Sequence, residues 1–211
     1  MDTTPSTARL ERVTLTGEIV ELVPLDEHHI PGLIEAYPPG AMDLMSRSAD
    51  CEEPLEPDAA ASYVAEALEG WADGRYLPFV VTERSSGRVL GATRFGDIAM
   101  DVPRMEIGWT WYALDARGTV VNPESKLLLL THAFETLGCE VVTLRTSEYN
   151  VVSKAAIAKL GATRDGVLRR HVHQRDGRLR DTVVFSILSD DWPRIRTQLT
   201  ERVATQAAEW T

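Results

Sequence analysis

The residues whose types and spacing could do chemistry stand where a turn feeds a helix, in the stretch LDARGTVVNPESKLLLLTHAF from Leu114 to Phe134. A helix start leaves several backbone N–H groups unpaired, and its dipole places partial positive charge there. A turn that exposes further N–H groups makes such a start a cradle for phosphate. Arg117 adds a full positive charge, Gly118 permits positive φ or close backbone approach, and Pro123 suits the first helical position. The same residues also suit an ordinary capped helix after a strand, with Glu124 as the acid expected in its first turn. A second pattern, His171 and His173 on one strand face, has a spacing that permits metal chelation. No third ligand lies within sequence reach, so no metal site is expected.

These residues need particular elements around them. The alternation in EIVELVPL (Glu18 to Leu25) predicts a half-buried strand stopped by Pro24, and a short helix is predicted from Pro31 to Tyr37 before the Pro38-Pro39-Gly40 break. After an acidic loop, Asp50 to Asp58, Pro57 and Asp58 open a helix with Tyr63, Val64, Ala67, Leu68 and Trp71 on one face. Tyr76 to Glu83 and Arg88 to Ala99 read as a hairpin turning at Ser85-Ser86-Gly87, followed by the aromatic strand Arg104 to Leu114. The turn then enters a helix from about Pro123 to Leu137, ended by Gly138. The helix LLLLTHAF is core by periodicity, with His132 inside it. Glu140 to Thr146 is a strand; Asn150 or Ser153 caps the helix KAAIAKL, which Gly161 stops. Strands around Val167 to Gln174 and Arg180 to Leu188, joined at Asp176-Gly177, precede a helical end with Trp192, Ile195, Leu199 and Val203 on one stripe. The order predicts an α+β fold, a largely antiparallel sheet with one parallel stretch and helices on both faces.

Composition narrows the partners. A chain of 211 residues that is 44% apolar can fill one sizeable core. A formal charge of −10 argues against non-specific nucleic-acid binding and permits a cationic substrate. Cys51 and Cys139 are too few for a disulfide framework and fit a reducing compartment. Met1 to Leu10 lacks the apolar run of a signal peptide and no stretch matches a membrane span, so no membrane association and a cytoplasmic location are expected.

The strand EIGWTWYAL running into the turn, the strand VVTLRT after its helix, and then NVVSKAAIAKLGA together resemble the GNAT acetyltransferase superfamily. The likeness is greatest to its bacterial-type branch of ribosomal-protein N-terminal (serine/alanine) acetyltransferases. That family pairs an acidic residue on its fourth strand with Gln/Arg-x-x-Gly-x-Gly/Ala at a helix start, then Asn-x-x-Ala/Ser and a Lys-Leu-Gly-Ala ending. The matches are Glu106, Arg117, Asn150 with Ser153, and Lys159-Leu160-Gly161-Ala162. The resemblance covers roughly Leu15 to Leu188. It implies a flexible segment 1–14, an acetyltransferase domain 15–189 with the GNAT (acyl-CoA N-acyltransferase) fold, and a C-terminal helix 190–211 packed on or extending from it. Three positions depart from the family: Val120 and Asn122 stand where the cradle has small residues, and Ile157 stands where many members carry a tyrosine.

What the resemblance implies is acetyl transfer from acetyl-CoA to a primary amine, a protein N-terminus or a small molecule, by direct attack in a ternary complex. Backbone groups at Trp109, Thr110 and Trp111 would pair with the pantetheine arm, joined by Asn150. The cradle Arg117, Gly118, Thr119, Val120, Val121 and Asn122 would hold the pyrophosphate. Glu106 is the candidate base, against the reading of an outward charge opposite Arg94. Ser153 is the candidate proton donor and CoA contact, against a plain helix cap; Asn150 competes with a turn role, and Trp109 and Trp111 with core packing. Asp50, Glu52, Glu53, Glu56 and Asp58 could attract a cationic amine or simply form a solvated loop. A catalytically weak family member serving as a CoA-binding or interaction module stays open, favoured by Val120 and Ile157. A homodimer through the terminal strand or the Trp192 helix is a further possibility.

Overall fold

In the computed structural model, which describes residues 10–38, 56–173 and 177–210, the chain starts with two short strands, β1 (Leu15–Thr16) and β2 (Val20–Pro24). Helices α1 (Ile30–Ala36) and α2 (Pro57–Ala72) follow. Strands β3 (Leu77–Glu83), β4 (Val89–Ala99) and β5 (Arg104–Tyr112) lead to helix α3 (Val121–Thr131). Then come β6 (Val141–Ser147), α4 (Val151–Ala158), β7 (Thr163–His173), β8 (Leu179–Leu188) and α5 (Trp192–Ala207).

The strands form one sheet in the order β1-β2-β3-β4-β5-β6-β8-β7, antiparallel throughout except between β5 and β6. That is the mixed α+β sheet the sequence predicts. A parallel neighbour needs a crossover, and α3 supplies it. The parallel contact is brief: Arg104, Met105 and Glu106 face Val141, Val142 and Thr143. β6 then continues along β8 while β5 continues along β4, so the sheet forks.

Helices cover both faces. On one, Phe95, Met105, Ile107, Leu129, Leu130, Val142 and Leu144 pack with Trp192, Ile195 and Leu199 beneath α3 and α5. Burying side chains of this size contributes about 1.5–3 kcal/mol each, which holds α5 to the same core. On the other face Leu33, Tyr63, Val64, Ala67, Val80, Ala92 and Trp111 pack beneath α1 and α2.

Several boundaries differ from the sequence reading, for local reasons. The predicted strand Glu18 to Leu25 begins at Val20, because Glu124 holds the amides of Glu18 (2.6 Å), Ile19 (3.1 Å) and Val20 (2.9 Å) in the turn after β1. Glu124 is therefore more than a charge placed at a helix start. The helix predicted from Pro123 begins at Val121 and ends in a π turn, His132–Thr136, closed by Leu137 N–H donating to His132 O at 3.0 Å. His132 is buried against Phe95. β7 starts at Thr163, earlier than Val167, with a register shift between Arg164 and Gly166. Of the N-terminal segment, Leu10 and Val13 rest on the core, and Arg12 donates to Leu25 O. Asp50, Cys51, Glu52, Glu53, the Pro39-Gly40 step and Asp176 lie outside the described residues. Among the described residues no helix is long and apolar enough to cross a membrane.

Candidate active site

The fork opens a cleft of about 930 Å³, and Glu106, at the last paired position of β5, stands at its apex. Beyond it β5 carries a bulge: Trp109 and Thr110 together oppose Thr93, between the pairs Arg94–Gly108 and Ala92–Trp111. Trp109 adopts φ +51, which costs a bulky L-residue about 1–2 kcal/mol. Packing holds it there: the indole lies against Gly96, where a Cβ would stand 2.6 Å from the ring, and edge-on to Tyr76 at 5.1 Å. The bulge reverses the in–out alternation of the strand. Trp109 thereby joins Glu106 on the α2 face and borders the cleft. Trp111, on the same side, is buried with its ring edge-on to Tyr37 at 5.1 Å. Thr110 is turned toward α3, where Lys126 Nζ donates to its hydroxyl at 2.9 Å.

The turn into α3 borders the cleft through Arg117, Gly118 and Asn122. Gly118 has φ +77, and a Cβ there would meet nothing within 4 Å, so its backbone faces open space. The Gly118 and Val120 amides have no hydrogen-bond partner among the described residues. Thr119 is occupied within the turn: its hydroxyl donates to Ala116 O at 2.7 Å and accepts from Val121 N–H at 3.3 Å. Val120 takes φ −61, and its side chain, like that of Val121, is fully buried. The valine that departs from the family pattern thus points away from the cleft. Arg117 is moored beside it, Nε donating to Tyr112 O at 3.1 Å.

Glu106 is buried and faces neither solvent nor Arg94; it stands opposite Gly96, and Arg145 Nη1 of β6 lies 3.1 Å from its Oε2. The expected pairing with Arg94 is corrected by register, which sets Arg94 opposite Gly108. Arg145 also bonds Asp97 at 2.7 Å, and Arg104 joins the same carboxylate at 2.8 Å. Burial raises the Glu106 pKa above the ordinary glutamate value, a rise that Arg145 moderates. A carboxylate poised in that way suits proton abstraction nearer neutrality.

On the opposite wall Asn150 caps α4, its Oδ1 accepting from Ser153 N–H at 2.9 Å. The cap is Asn150; Ser153 lies in the first turn, where its side chain borders the cleft along with that of Asn150. Ile157 is buried beside them. His171 contacts Thr182 Oγ1 at 3.2 Å and His173 contacts Gly177 O at 3.3 Å.

Four residues of the cleft escaped sequence reasoning as site residues. Lys126 is the most legible in retrospect, a cation at a core phase of an apolar helix; burial lowers its pKa to about 7. Arg94 is a cation inside a wholly buried strand run, Leu90 to Phe95. Arg145 and Asp97 carry no local signal, since only the β5–β6 pairing brings them to Glu106.

Comparison with known proteins gives the family and the fold. The family model described as an acetyltransferase (GNAT) domain matches residues 20–163. Among solved structures, a protein assigned as an acetyltransferase from T. thermophilus is similar at a TM-score of 0.80 and 28% identity, over 92% of this chain and 98% of its own. A GCN5-related N-acetyltransferase from Brucella melitensis has a TM-score of 0.82 at 22% identity, over 92% and 87%. Mycobacterium smegmatis RimJ in complex with CoA-disulfide has a TM-score of 0.72 at 20% identity, over 92% and 93%. The last two likenesses are likenesses of fold.

Proposed function

Because the chain belongs to the acetyltransferase (GNAT) family, we propose that it moves an acetyl group from acetyl-CoA to a primary amine by direct attack within a ternary complex. The observation that carries this reading is the fork itself, with a buried carboxylate at its apex and the open backbone of Gly118 at its mouth. The residues fit the donor: open backbone at Gly118, whose amide has no partner among the described residues, and a β5 edge that leaves β6 after Glu106. In RimJ from M. smegmatis the same fold holds a CoA derivative.

When bound, acetyl-CoA supplies an already activated thioester, so the protein needs no covalent nucleophile. Gly118 and Asn122, with Arg117, would hold the pyrophosphate at the N-terminus of α3, while Val120, fully buried, would shape the turn from beneath. The backbone of Trp109, Thr110 and Trp111 would pair with the pantetheine amides, and the side-chain amide of Asn150 would reach the same arm. Glu106, ionised beside Arg145, would take a proton from the amine, directly or through water. Ser153 offers the hydroxyl that Ile157 does not. Orientation would contribute a large share, since holding two reactants together supplies much of the barrier reduction. The acceptor is a protein N-terminal amine or a small amine. A transfer screen against amines and N-terminal peptides, run with Glu106→Gln as control, tests the reading: wild-type transfer lost in the variant supports it, and acetyl-CoA binding without transfer to any amine favours the non-catalytic module.

A further inference from the structure

The α2 side of the cleft holds a buried cation without a hydrogen-bond partner among the described residues. Arg94 is 1% exposed, and its Nε, Nη1 and Nη2 have no hydrogen-bond partner among the described residues. Its guanidinium carbon lies over the rings of Tyr63 at 5.0 Å, Tyr76 at 4.9 Å and Trp109 at 5.2 Å. The nearest acid, Glu66, stands 4.0 Å from Nη1 with a side chain 60% exposed at the mouth, beyond hydrogen-bond distance. Asp73, also at the mouth, is paired with Arg75 at 3.1 Å. Ring faces soften the burial of a cation but do not replace in-plane acceptors for its five N–H groups. A group taken from water and left in this state calls for a ligand.

The strand register says where that ligand lies. Arg94 faces Gly108 and Gly96 faces Glu106, so the four residues make a square on one face of the sheet. One diagonal carries the two charges, at positions that cross-strand geometry sets roughly 7–8 Å apart. The other diagonal carries two glycines, and the three atoms nearest a Cβ placed at Gly108 all belong to the Glu106 side chain, the closest at 3.1 Å. A cation and an anion thus flank a floor with no side chain at Gly108. We propose that Arg94 is the anion subsite of the acceptor pocket, and that the acceptor is a small primary amine carrying a carboxylate close to its amino group. The carboxylate lies on the guanidinium fork, which suits planar bidentate acceptors, and the amine lies toward Glu106. This rests on the acetyl-transfer reading above and narrows its acceptor.

The test measures acetyl transfer to L-alanine, L-phenylalanine, their carboxamides, 2-aminoethyl phosphate and short peptides, by wild type, Arg94→Met and Arg94→Gln. The free acids are expected to exceed the carboxamides in kcat/KM by roughly ten- to a hundredfold, since the carboxamides leave the fork unpaired. That preference is expected to disappear in Arg94→Met while acetyl-CoA affinity by calorimetry stays unchanged. Equal use of acids and amides overturns the proposal, as does a preference for the phosphate or for peptides. So does a preference that survives in Arg94→Met, or in the neutral Arg94→Gln should the first variant not fold. Direct titration of wild type with N-acetyl-L-alanine and N-acetyl-L-alaninamide decides the case in which no amine is acetylated: binding of the acid alone supports the subsite, and binding of neither overturns it. Failure of wild type to bind acetyl-CoA defeats the acetyl-transfer reading instead and leaves this titration valid.

Discussion

Arg145 Nη1 stands 3.1 Å from Glu106 Oε2 at the point where β5 and β6 separate, so the buried carboxylate brings its own counter-charge from the neighbouring strand. Two influences therefore set its proton affinity in opposite directions, burial upward and Arg145 downward.

A base acts when ionised, so turnover should rise with pH through the raised Glu106 pKa. Arg145→Met removes the cation that favours ionisation and should move the acid limb of the kcat/KM profile to higher pH. Glu106→Gln should lower kcat about 10²-fold or more while leaving acetyl-CoA affinity in place. A limb that stays put in Arg145→Met, or full turnover in Glu106→Gln, would remove Glu106 from the mechanism.

Lys126 offers a pH effect on stability. Its pKa of about 7 in the folded protein lies below the ~10.4 of an exposed lysine. Between those values the unfolded chain holds more protons, so stability rises with pH across that window and the full cost of burying the charge is felt below pH 7. Lys126→Met should therefore be more stable than wild type at pH 6, on the order of 2–4 kcal/mol, with the gap closing toward pH 10. Urea unfolding at both pH values measures it; a gap that does not change with pH would contradict the account.

Glu124 ties α3 to the turn between β1 and β2 through three backbone amides. Glu124→Ala leaves those amides unpaired and should cost about 2–3 kcal/mol in urea unfolding. An unchanged midpoint would mean that water replaces the carboxylate at no cost.

Much of this molecule is legible from residue order, and the exceptions have physical causes. Periodicity of two and of 3.6 marks the strands and the α2, α3 and α5 helices, because burial of one face imposes those periods. The bulge at Trp109 leaves no such trace: it depends on Gly96 across the strand pair, which yields the space the indole fills. The π turn at His132–Thr136 hides inside a helical pattern, since one shifted hydrogen bond does not alter which residues are apolar. Glu106 and the α3 turn are visible as motif positions, but Arg145 reaches Glu106 only through the parallel pairing of β5 with β6. Arg94 and Lys126 are hidden for another reason. A charge within an apolar run reads as an interruption of the core, when here both charges are enclosed beside a cleft.

The central claim is that the open backbone around Gly118 grips the diphosphate of acetyl-CoA beside the forked sheet. Calorimetric titration of wild type and Gly118→Ala with acetyl-CoA tests it most directly. The alanine must hold φ near +77, a strain of about 1–2 kcal/mol, and puts a methyl group into the space the cradle keeps open. The account predicts a single-site isotherm for wild type, saturating well below millimolar donor, and a dissociation constant raised several-fold or more in the variant. No heat from wild type at millimolar acetyl-CoA, or equal affinity in both proteins, would contradict it.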